Sequence, residues 1–294
     1  AKIMIEFEKV LQKELPEMVV VVGDVNSTLA CSIVAAKMLV PVAHVEAGLR
    51  SGDRTMPEEI NRIVTDSISD LLFVSEPSGT YNLMQEGVSD EKVFFVGNIM
   101  IDSLVQHVQK ANQSDALKRL GLEPKQYTLV TLHRPSNVDE KENLEKILRI
   151  FSEIAKKSKI VFPIHPRTRK RIEDFGLLEK VNEISGLQLI DPQGYIEFLR
   201  LMKDASLVLT DSGGVQEETT VLGVPCLTMR ENTERPVTVQ VGTNLLIGTD
   251  EDEVKTAALE VLDGHTKKGK IPEKWDGKTA GRIVETLDKI FEAW

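Results

Sequence analysis

Three carboxylates in the first part of the chain stand where acid–base chemistry would need them. Asp24 follows the apolar segment 18–23, Glu46 follows the apolar segment 40–45, and Glu58 comes just after a proline that favours a first helical turn. Ligands of parallel α/β sheets bind beyond the carboxyl ends of the strands, so we expect these acids to gather at one sheet edge. Neighbouring carboxylates can act as separate acid and base, which suits removal and return of a proton at carbon.

Each of these acids also has a purely structural explanation. Asp24 could cap a helix that begins near Ser27, and Glu46 could form an ion pair with Arg50. Glu58 could simply complement the positive end of a helix dipole. Catalysis is favoured because all three acids are predicted at the same edge of the same sheet.

A second group of polar residues, later in the chain, suits phosphate binding. His133 and Arg134 follow the apolar segment 127–132, and both side chains can donate hydrogen bonds to phosphate oxygens. His165 and Arg167 repeat the arrangement after the next strand and are weaker candidates. A single histidine after a strand is also explained by an ordinary loop.

The most specific local pattern is a glycine-rich turn after the apolar segment 207–210. The Ser-Gly-Gly run 212–214 opens a helix, whose backbone N–H groups and dipole form an anion site. Glu217 and Glu218 lie about one turn into that helix, where one of them can accept hydrogen bonds from ribose hydroxyls. The turn lacks the G-x-G-x-x-G spacing of dinucleotide-binding proteins, so it predicts nucleotide binding of another kind.

Short apolar segments alternate with amphipathic stretches along the whole chain, which predicts parallel, doubly wound α/β sheets. Four segments precede the polar stretch 110–126 and six follow it. We therefore predict an N-terminal domain, 1–110 with a C-terminal helix 278–294, and a nucleotide-binding domain, 111–277, facing each other across a cleft. The segments are 18–23, 40–45, 71–74, 93–96, 127–132, 160–164, 187–190, 207–210, 225–229 and 244–247.

Composition excludes several classes of function. The 294 residues include 36 Lys and Arg against 46 Asp and Glu, which gives a net charge of −10. A negative net charge disfavours binding to the phosphate backbone of nucleic acid. Cys31 and Cys226 are predicted to be buried thiols. No apolar run approaches the roughly 20 residues of a membrane span, and no signal sequence opens the chain, so a cytoplasmic protein is expected.

Six motifs, in order along the chain, resemble the non-hydrolysing UDP-N-acetylglucosamine 2-epimerases. The resemblance implies two Rossmann-like domains with a hinge, as in type-B glycosyltransferases. It implies reversible conversion of UDP-GlcNAc to UDP-ManNAc without NAD or metal, by elimination of UDP to a 2-acetamidoglucal and its re-addition. The motifs are Gly23-Asp24, His44-Val45-Glu46-Ala47-Gly48-Leu49-Arg50, Pro57-Glu58-Glu59, His133-Arg134, Asp211-Ser212-Gly213-Gly214-Val215-Gln216-Glu217-Glu218 and Thr233-Glu234-Arg235-Pro236.

The resemblance also implies roles for single residues. Asp24, Glu46 and Glu58 match the family's catalytic acids, and His133 matches the essential histidine near UDP. Which acid removes the C2 proton stays open. The residues implied in UDP binding are Arg134, Gln193, Phe198, Ser212, Gly213, Gly214, Glu218 and Arg235, of which Gln193 and Phe198 match contacts on the uracil side. A second UDP-GlcNAc as activator and a homodimer are implied as partners.

The chain departs from the family pattern at its start. It opens inside a helical pattern, 3–15, and the family's first strand and Gly-Thr-Arg-Pro-Glu turn are absent. We therefore expect the first domain to lack its N-terminal strands, roughly seventy residues or about half a typical domain. Three alternatives stay open: 2-epimerisation of a related UDP-diacetamido uronic acid, a type-B sugar transferase, and a UDP-sugar binding fragment without catalysis.

Overall fold

The computed structural model describes residues 1–293, in which strands and helices alternate. Every strand pair is parallel, and the strands form one sheet of four and one of six. Each strand overlaps one predicted segment, so the predicted α/β class is confirmed. The strands are β1 (Val19–Val22), β2 (Val42–Ala47), β3 (Leu71–Val74), β4 (Val93–Phe95), β5 (Tyr127–Thr131), β6 (Lys159–Pro163), β7 (Leu187–Ile190), β8 (Leu207–Thr210), β9 (Cys226–Thr228) and β10 (Asn244–Leu246).

Helices connect these strands, with one short 3₁₀ turn at Asp90–Lys92 before β4. The α-helices are α1 (Lys2–Glu14), α2 (Asn26–Lys37), α3 (Pro57–Ile68), α4 (Pro77–Gln85), α5 (Ile99–Asn112), α6 (Ala116–Leu120), α7 (Pro135–Val138), α8 (Lys141–Ala155), α9 (Pro166–Asp174), α10 (Leu178–Glu183), α11 (Tyr195–Lys203), α12 (Gly213–Leu222), α13 (Pro236–Gln240), α14 (Glu251–Leu262) and α15 (Thr279–Ala293).

The chain divides into two compact units. Unit 1 consists of Ala1–Ser103, Glu234–Val237 and the residues from Glu273 onward, and unit 2 consists of Leu104–Thr233 and Thr238–Pro272. The division between the two parts had been predicted near 110 and 278. The four residues Glu234–Val237 belong with unit 1, although the chain on either side of them belongs with unit 2.

The sheet of unit 1 has the order β1-β2-β3-β4. Its central strands are apolar because helices cover them: Ala43, Val45 and Phe73 pack in one cluster with Ile283 of α15. The helix predicted over 278–294 is observed over Thr279–Ala293, and position 294 lies outside the described residues.

The sheet of unit 2 has the order β7-β6-β5-β8-β9-β10, in which the direction of winding reverses between β5 and β8. This is the order of doubly wound nucleotide-binding sheets, and ligands bind at the carboxyl ends of the strands where it reverses. The apolar stripe of α8 packs on one face of the sheet, through Leu144, Ile147 and Phe151 among others. The loops after β5 and β8 are therefore the place to seek a ligand site.

Among residues 1–293, no helix is long and apolar enough to cross a membrane.

Candidate active site

Asp24 lies in the turn after β1, where a buried arginine holds its carboxylate. Arg62 of α3 donates from Nη2 to Asp24 Oδ2, and Asn61 Nδ2 donates to the backbone oxygen of Asp24 at 2.8 Å. The helix that follows begins with Val25 at its N-cap position and has no side-chain cap. The capping explanation for Asp24 is therefore wrong, and its carboxylate stays 25% exposed beside Arg62.

Glu46 adopts a backbone conformation that is uncommon for a residue with a side chain. Its φ is +70°, and the register between β2 and β3 shifts at this position. Such strain costs about 1 kcal/mol or more and is characteristic of functional sites. Arg62 Nη1 donates to the Glu46 carbonyl oxygen, and Glu46 Oε2 lies 3.8 Å from where a Cβ on Gly23 would be. The Glu46 carboxylate therefore lies over the turn that carries Asp24.

Arg50 does not pair with Glu46, so the alternative of a structural Glu46–Arg50 ion pair is wrong. Its guanidinium binds Glu86 through two hydrogen bonds, at 2.8 and 2.7 Å, and contacts Asp66 Oδ2 at 2.7 Å. Arg50 therefore does not neutralise the Glu46 carboxylate.

Glu58 is exposed in the first turn of α3. It precedes Asn61 and Arg62 by three and four residues, so the three side chains share one face of the helix. The neighbouring Glu59 is buried and accepts hydrogen bonds from Ser51 N at 2.7 Å and Ser51 Oγ at 2.9 Å, which is a structural task. The structure thus brings Asp24 and Glu46 together and sets Glu58 on the helix face that holds them.

In unit 2, Asp211 organises the loop after β5. This fully buried carboxylate accepts hydrogen bonds from the backbone nitrogens of His133 and Arg134, at 3.0 and 2.8 Å, and from Asn137 Nδ2 at 3.0 Å. Burial raises the pKa of Asp211, but the bonds from His133 and Asn137 outweigh it and lower the pKa overall. His133 Nδ1 also lies 3.0 Å from Asp211 Oδ1, and 42% of the His133 side chain is exposed. An ionised Asp211 makes Nδ1 the donor, which leaves the Nε2 edge of His133 for a ligand.

Next to His133 lies a pocket of about 200 Å³ that brings several predicted residues together. Gln193 and Phe198 line it, as do Pro166 and Pro192, which make much of the pocket surface apolar. An apolar pocket with few polar groups suits a nucleotide base, with Gln193 as a polar contact. The lining residues are Thr131, Leu132, His133, Pro163, His165, Pro166, Pro192, Gln193 and Phe198.

Of the two weaker candidates, His165 lies at the pocket and Arg167 does not. His165 lines this pocket, and its Nδ1 accepts a hydrogen bond from Arg167 N at 3.2 Å as the N-cap of α9. The Arg167 side chain donates to Asp139 at 2.9 Å and forms an exposed ion pair. Arg167 therefore does not join the pocket.

The glycine-rich turn after β8 forms the N-terminus of α12, with Ser212 at the N-cap position and no side-chain cap. Helix N–H groups without an intrahelical partner attract anions, and the Ser212 side chain does not compete for them. A Cβ built on Gly214 would meet nothing within 4 Å. Protein packing does not demand glycine at Gly214, which agrees with a ligand approaching this turn.

Glu218, the predicted ribose ligand, is buried and accepts a hydrogen bond from the Tyr195 hydroxyl at 2.8 Å. Burial raises the pKa of Glu218, and the bond from Tyr195 partly offsets this. Tyr195 was missed as a functional candidate because its only sequence signal is its place after a Pro-Gln-Gly loop. The ring of His107 packs edge-on against Tyr195 at 5.6 Å.

Glu76 was also missed, although it lies two residues after the end of β3. Glu76 is 1% exposed, and its Oε1 accepts hydrogen bonds from Ser78 Oγ at 2.5 Å and from Val237 N at 3.4 Å. Its Oε2 accepts no hydrogen bond. Burial raises the pKa of Glu76 to about 7, against the opposing effects of Ser78, Val237 N and the charge of Arg235. Arg235, predicted to bind UDP, lies in unit 1 beside Glu234, whose Oε2 is 3.3 Å from Arg235 Nη1.

Comparison with known proteins identifies the family of this chain. A family model described as UDP-N-acetylglucosamine 2-epimerase matches residues 1–288. A Methanocaldococcus jannaschii protein named UDP-N-acetylglucosamine 2-epimerase is 47% identical over 291 residues, which cover 97% of this chain and 79% of that protein. A Pseudomonas aeruginosa protein named UDP-2,3-diacetamido-2,3-dideoxy-D-glucuronate 2-epimerase is 41% identical over 293 residues. These residues cover 98% of this chain and 79% of that protein.

A solved structure of a UDP-GlcNAc 2-epimerase is also similar to this chain. The crystal structure of the Methanocaldococcus jannaschii UDP-GlcNAc 2-epimerase in complex with UDP-GlcNAc and UDP matches with a TM-score of 0.89 at 46% identity, covering 98% of this chain and 80% of that one. The fold and the site together define a protein of two parallel α/β units, one of them built on a nucleotide-binding sheet order. The chain belongs to the UDP-N-acetylglucosamine 2-epimerase family.

Proposed function

We propose that this protein interconverts UDP-GlcNAc and UDP-ManNAc by inverting carbon C2 of the sugar. The observation that carries the proposal is the double contact of buried Arg62, which holds the Asp24 carboxylate and the Glu46 backbone side by side. Family membership supports the same reaction. Inversion requires that a proton leave one face of C2 and return to the other, so at least two proton-carrying groups are needed.

The reaction balances in two steps. A carboxylate takes the C2 proton while the C1–O bond breaks and its electron pair leaves with UDP, which gives a 2-acetamidoglucal. A second group then delivers a proton to the opposite face of C2, and a UDP oxygen forms the bond to C1 again. Asp24, Glu46 and Glu58 are the groups we assign to these proton transfers, without assigning an order.

Unit 2 supplies the nucleotide contacts in this proposal. The N–H groups of Gly213 and Gly214, with Ser212, bind the diphosphate, and His133 and Arg134 donate to its oxygens. Gln193 and Phe198 contact the uracil, and Glu218 accepts bonds from the ribose. Arg235 is proposed as a further UDP-binding residue.

Proton NMR of UDP-GlcNAc incubated with the protein in D₂O tests the proposal. We expect UDP-ManNAc to form and deuterium to enter at C2 of both sugars. A type-B transferase would leave C2 protonated and would need an acceptor. UDP binding with neither product nor exchange would favour a binding protein without catalysis.

A second substrate is favoured by one observation, the 41% identity to the Pseudomonas aeruginosa protein. Offering UDP-2,3-diacetamido-2,3-dideoxy-D-glucuronate in the same experiment separates the two. Faster C2 exchange on this uronate than on UDP-GlcNAc would assign the protein to the uronate.

We also propose a homodimer and activation by a second UDP-GlcNAc, both on the family resemblance alone. A cytoplasmic location is proposed from the sequence. Light scattering tests the dimer, and cell fractionation tests the location. A sigmoidal dependence of the initial rate on UDP-GlcNAc concentration tests the activator.

A further inference from the structure

His44, in β2, is a fully buried histidine beneath the acid-bearing turns of unit 1, and the proton transfers proposed above do not use it. Its Nε2 lies 2.8 Å from the carbonyl oxygen of Gly23, and its Nδ1 lies 2.6 Å from Asp66 Oδ1. A carbonyl oxygen can only accept a hydrogen bond, so Nε2 carries a proton.

Asp66 determines whether the other nitrogen is protonated too. Asp66 is 2% exposed, and its Oδ2 accepts a hydrogen bond from Gly48 N at 3.0 Å and contacts Arg50 Nη1 at 2.7 Å. Burial raises the pKa of Asp66, but the bonds and charges of His44 and Arg50 outweigh it and lower the pKa overall. Gly48 N and Arg50 at Oδ2 favour an ionised Asp66 independently of His44. Asp66 Oδ1 then accepts a hydrogen bond from His44 Nδ1, which makes the ring an imidazolium.

The charges around this imidazolium balance. His44 and Arg50 are positive, while Asp66 and Glu86 are negative, and each makes at least one contact of 2.8 Å or less within the set. Buried charges persist only when they are paired and hydrogen-bonded. His44 and Asp66 satisfy that condition in the interior, and exposed Glu86 pairs with Arg50 at the outer end of the network.

The two ends of the network are the two turns that carry the acids. Gly23 precedes Asp24, and Gly48 follows Glu46 by two residues. A Cβ on Gly48 would lie 2.4 Å from the carbonyl oxygen of Gly79, so this turn has no room to shift. Asp66 also lies one helical turn after Arg62 on α3. The same helix therefore contacts Asp24 and Glu46 through Arg62, and the Gly48 turn through Asp66.

We propose that His44 is a positioning residue held as a buried imidazolium, and that its two N–H groups fix the Asp24 turn against the Glu46 turn. The proposal rests on the proposed function, because it assigns His44 to the acids of that reaction. A neutral histidine would donate only one of these two hydrogen bonds, and the link between the two turns through His44 would be lost.

The first test needs no substrate. Nitrogen-15 NMR of the full chain, with the His44 signals assigned by their loss in His44→Gln, reports the proton on each ring nitrogen. We expect both nitrogens to be protonated and slow to exchange at the pH of the activity assay. One unprotonated nitrogen would overturn the proposal, whatever reaction the protein catalyses.

The second test uses two variants that each keep one bond. The amide of His44→Asn can replace Nδ1, and the amide of His44→Gln can replace Nε2. We expect kcat to fall at least about tenfold in both, with KM for UDP-GlcNAc within about twofold, because only the placement of the acids changes.

Leu11→Ala is the control for loss of stability, since Leu11 lies in a core cluster of α1, α2, β1 and β2 and contacts neither turn. It should leave kcat unchanged. A folded variant at position 44 with wild-type kcat would overturn the proposal. If neither variant folds, or if the wild-type protein converts no substrate, the protonation of the two His44 nitrogens found by NMR decides whether the proposal stands.

Discussion

At the scale of single residues, the carboxylates of this protein differ in what surrounds them. Asp66 and Asp211 are buried, accept several hydrogen bonds and have lowered pKa values, which suits groups that hold others in place. Asp24 and Glu46 are only partly buried, and Arg62 contacts the Asp24 carboxylate and the Glu46 carbonyl oxygen. Glu76 is buried with one oxygen that accepts no hydrogen bond. These differences are the basis for proposing Asp24 and Glu46, rather than Asp66 and Asp211, as reacting acids.

Asp211→Asn should weaken both unit 2 and its hydrogen-bonded histidine. The new amide offers N–H groups toward donors on His133, Arg134 and Asn137, and each buried donor left unsatisfied costs about 1–3 kcal/mol. We expect urea unfolding to show a loss of about 2 kcal/mol or more and calorimetry to show weaker UDP binding. Asp139→Asn removes two partly exposed ion pairs, with Arg167 and Arg171, and should change neither quantity by much. Equal effects of the two variants would contradict this account of Asp211.

Glu76 should make stability depend on pH in a direction unusual for a carboxylate. Its pKa is raised from 4.5 to about 7, so the folded protein binds this proton more tightly than the unfolded chain. The folded state therefore loses stability as pH rises from about 4.5 to about 7, by about 3 kcal/mol in total. In Glu76→Gln this loss is absent.

Thermal unfolding of the two proteins between about pH 5 and pH 8 checks this. Glu76→Gln should match the wild type near pH 5 and be increasingly more stable above it. Glu8→Gln, on the exposed side of α1, should give a constant difference. A Glu76→Gln difference that does not grow with pH would show that Glu76 is ionised throughout.

At the scale of elements, two helices do most of the positioning. α3 presents Glu58, Asn61, Arg62 and Asp66 from successive turns to the ends of β1 and β2. α12 contributes its N-terminus, which no side chain caps. One helix acts through side chains and the other through its backbone.

Two glycines of α12 should respond in opposite ways to alanine. At Gly214 a Cβ meets nothing within 4 Å, so Gly214→Ala should stabilise the ligand-free protein by up to about 1 kcal/mol. The methyl group would then crowd the phosphate, and UDP should bind at least about tenfold more weakly. Gly223, at the C-terminus of the same helix, has φ +67°, so Gly223→Ala should destabilise by about 1 kcal/mol without changing UDP affinity. Unchanged UDP affinity in Gly214→Ala would remove this turn from the nucleotide site.

The positions of the strands could be predicted from the sequence, but the contacts that α3 makes with the ends of β1 and β2 could not. Every strand is a short apolar run, and such runs are visible in the sequence without knowing the fold. The contacts of α3 join residues far apart, 22 positions for His44 with Asp66 and 38 for Asp24 with Arg62. No local period encodes such pairs.

At the scale of the whole molecule, the two units differ in the chemistry they carry. Unit 2 has the strand order of nucleotide-binding sheets, with Asp211, His133 and the glycine turn at the point where the order reverses. Unit 1 carries the acids. The motifs predicted the kind of residue in each half, whereas the role of Asp211 became visible only when β5 and β8, 78 residues apart at this contact, were neighbours.

Turnover of UDP-GlcNAc by Glu46→Gln tests this division of chemistry most directly. Glutamine keeps the size of the side chain but cannot carry a proton. The account predicts that the variant forms no UDP-ManNAc from UDP-GlcNAc while it binds UDP as the wild type does. Formation of UDP-ManNAc at the wild-type rate would contradict the account, because the acid edge of unit 1 would then not include Glu46.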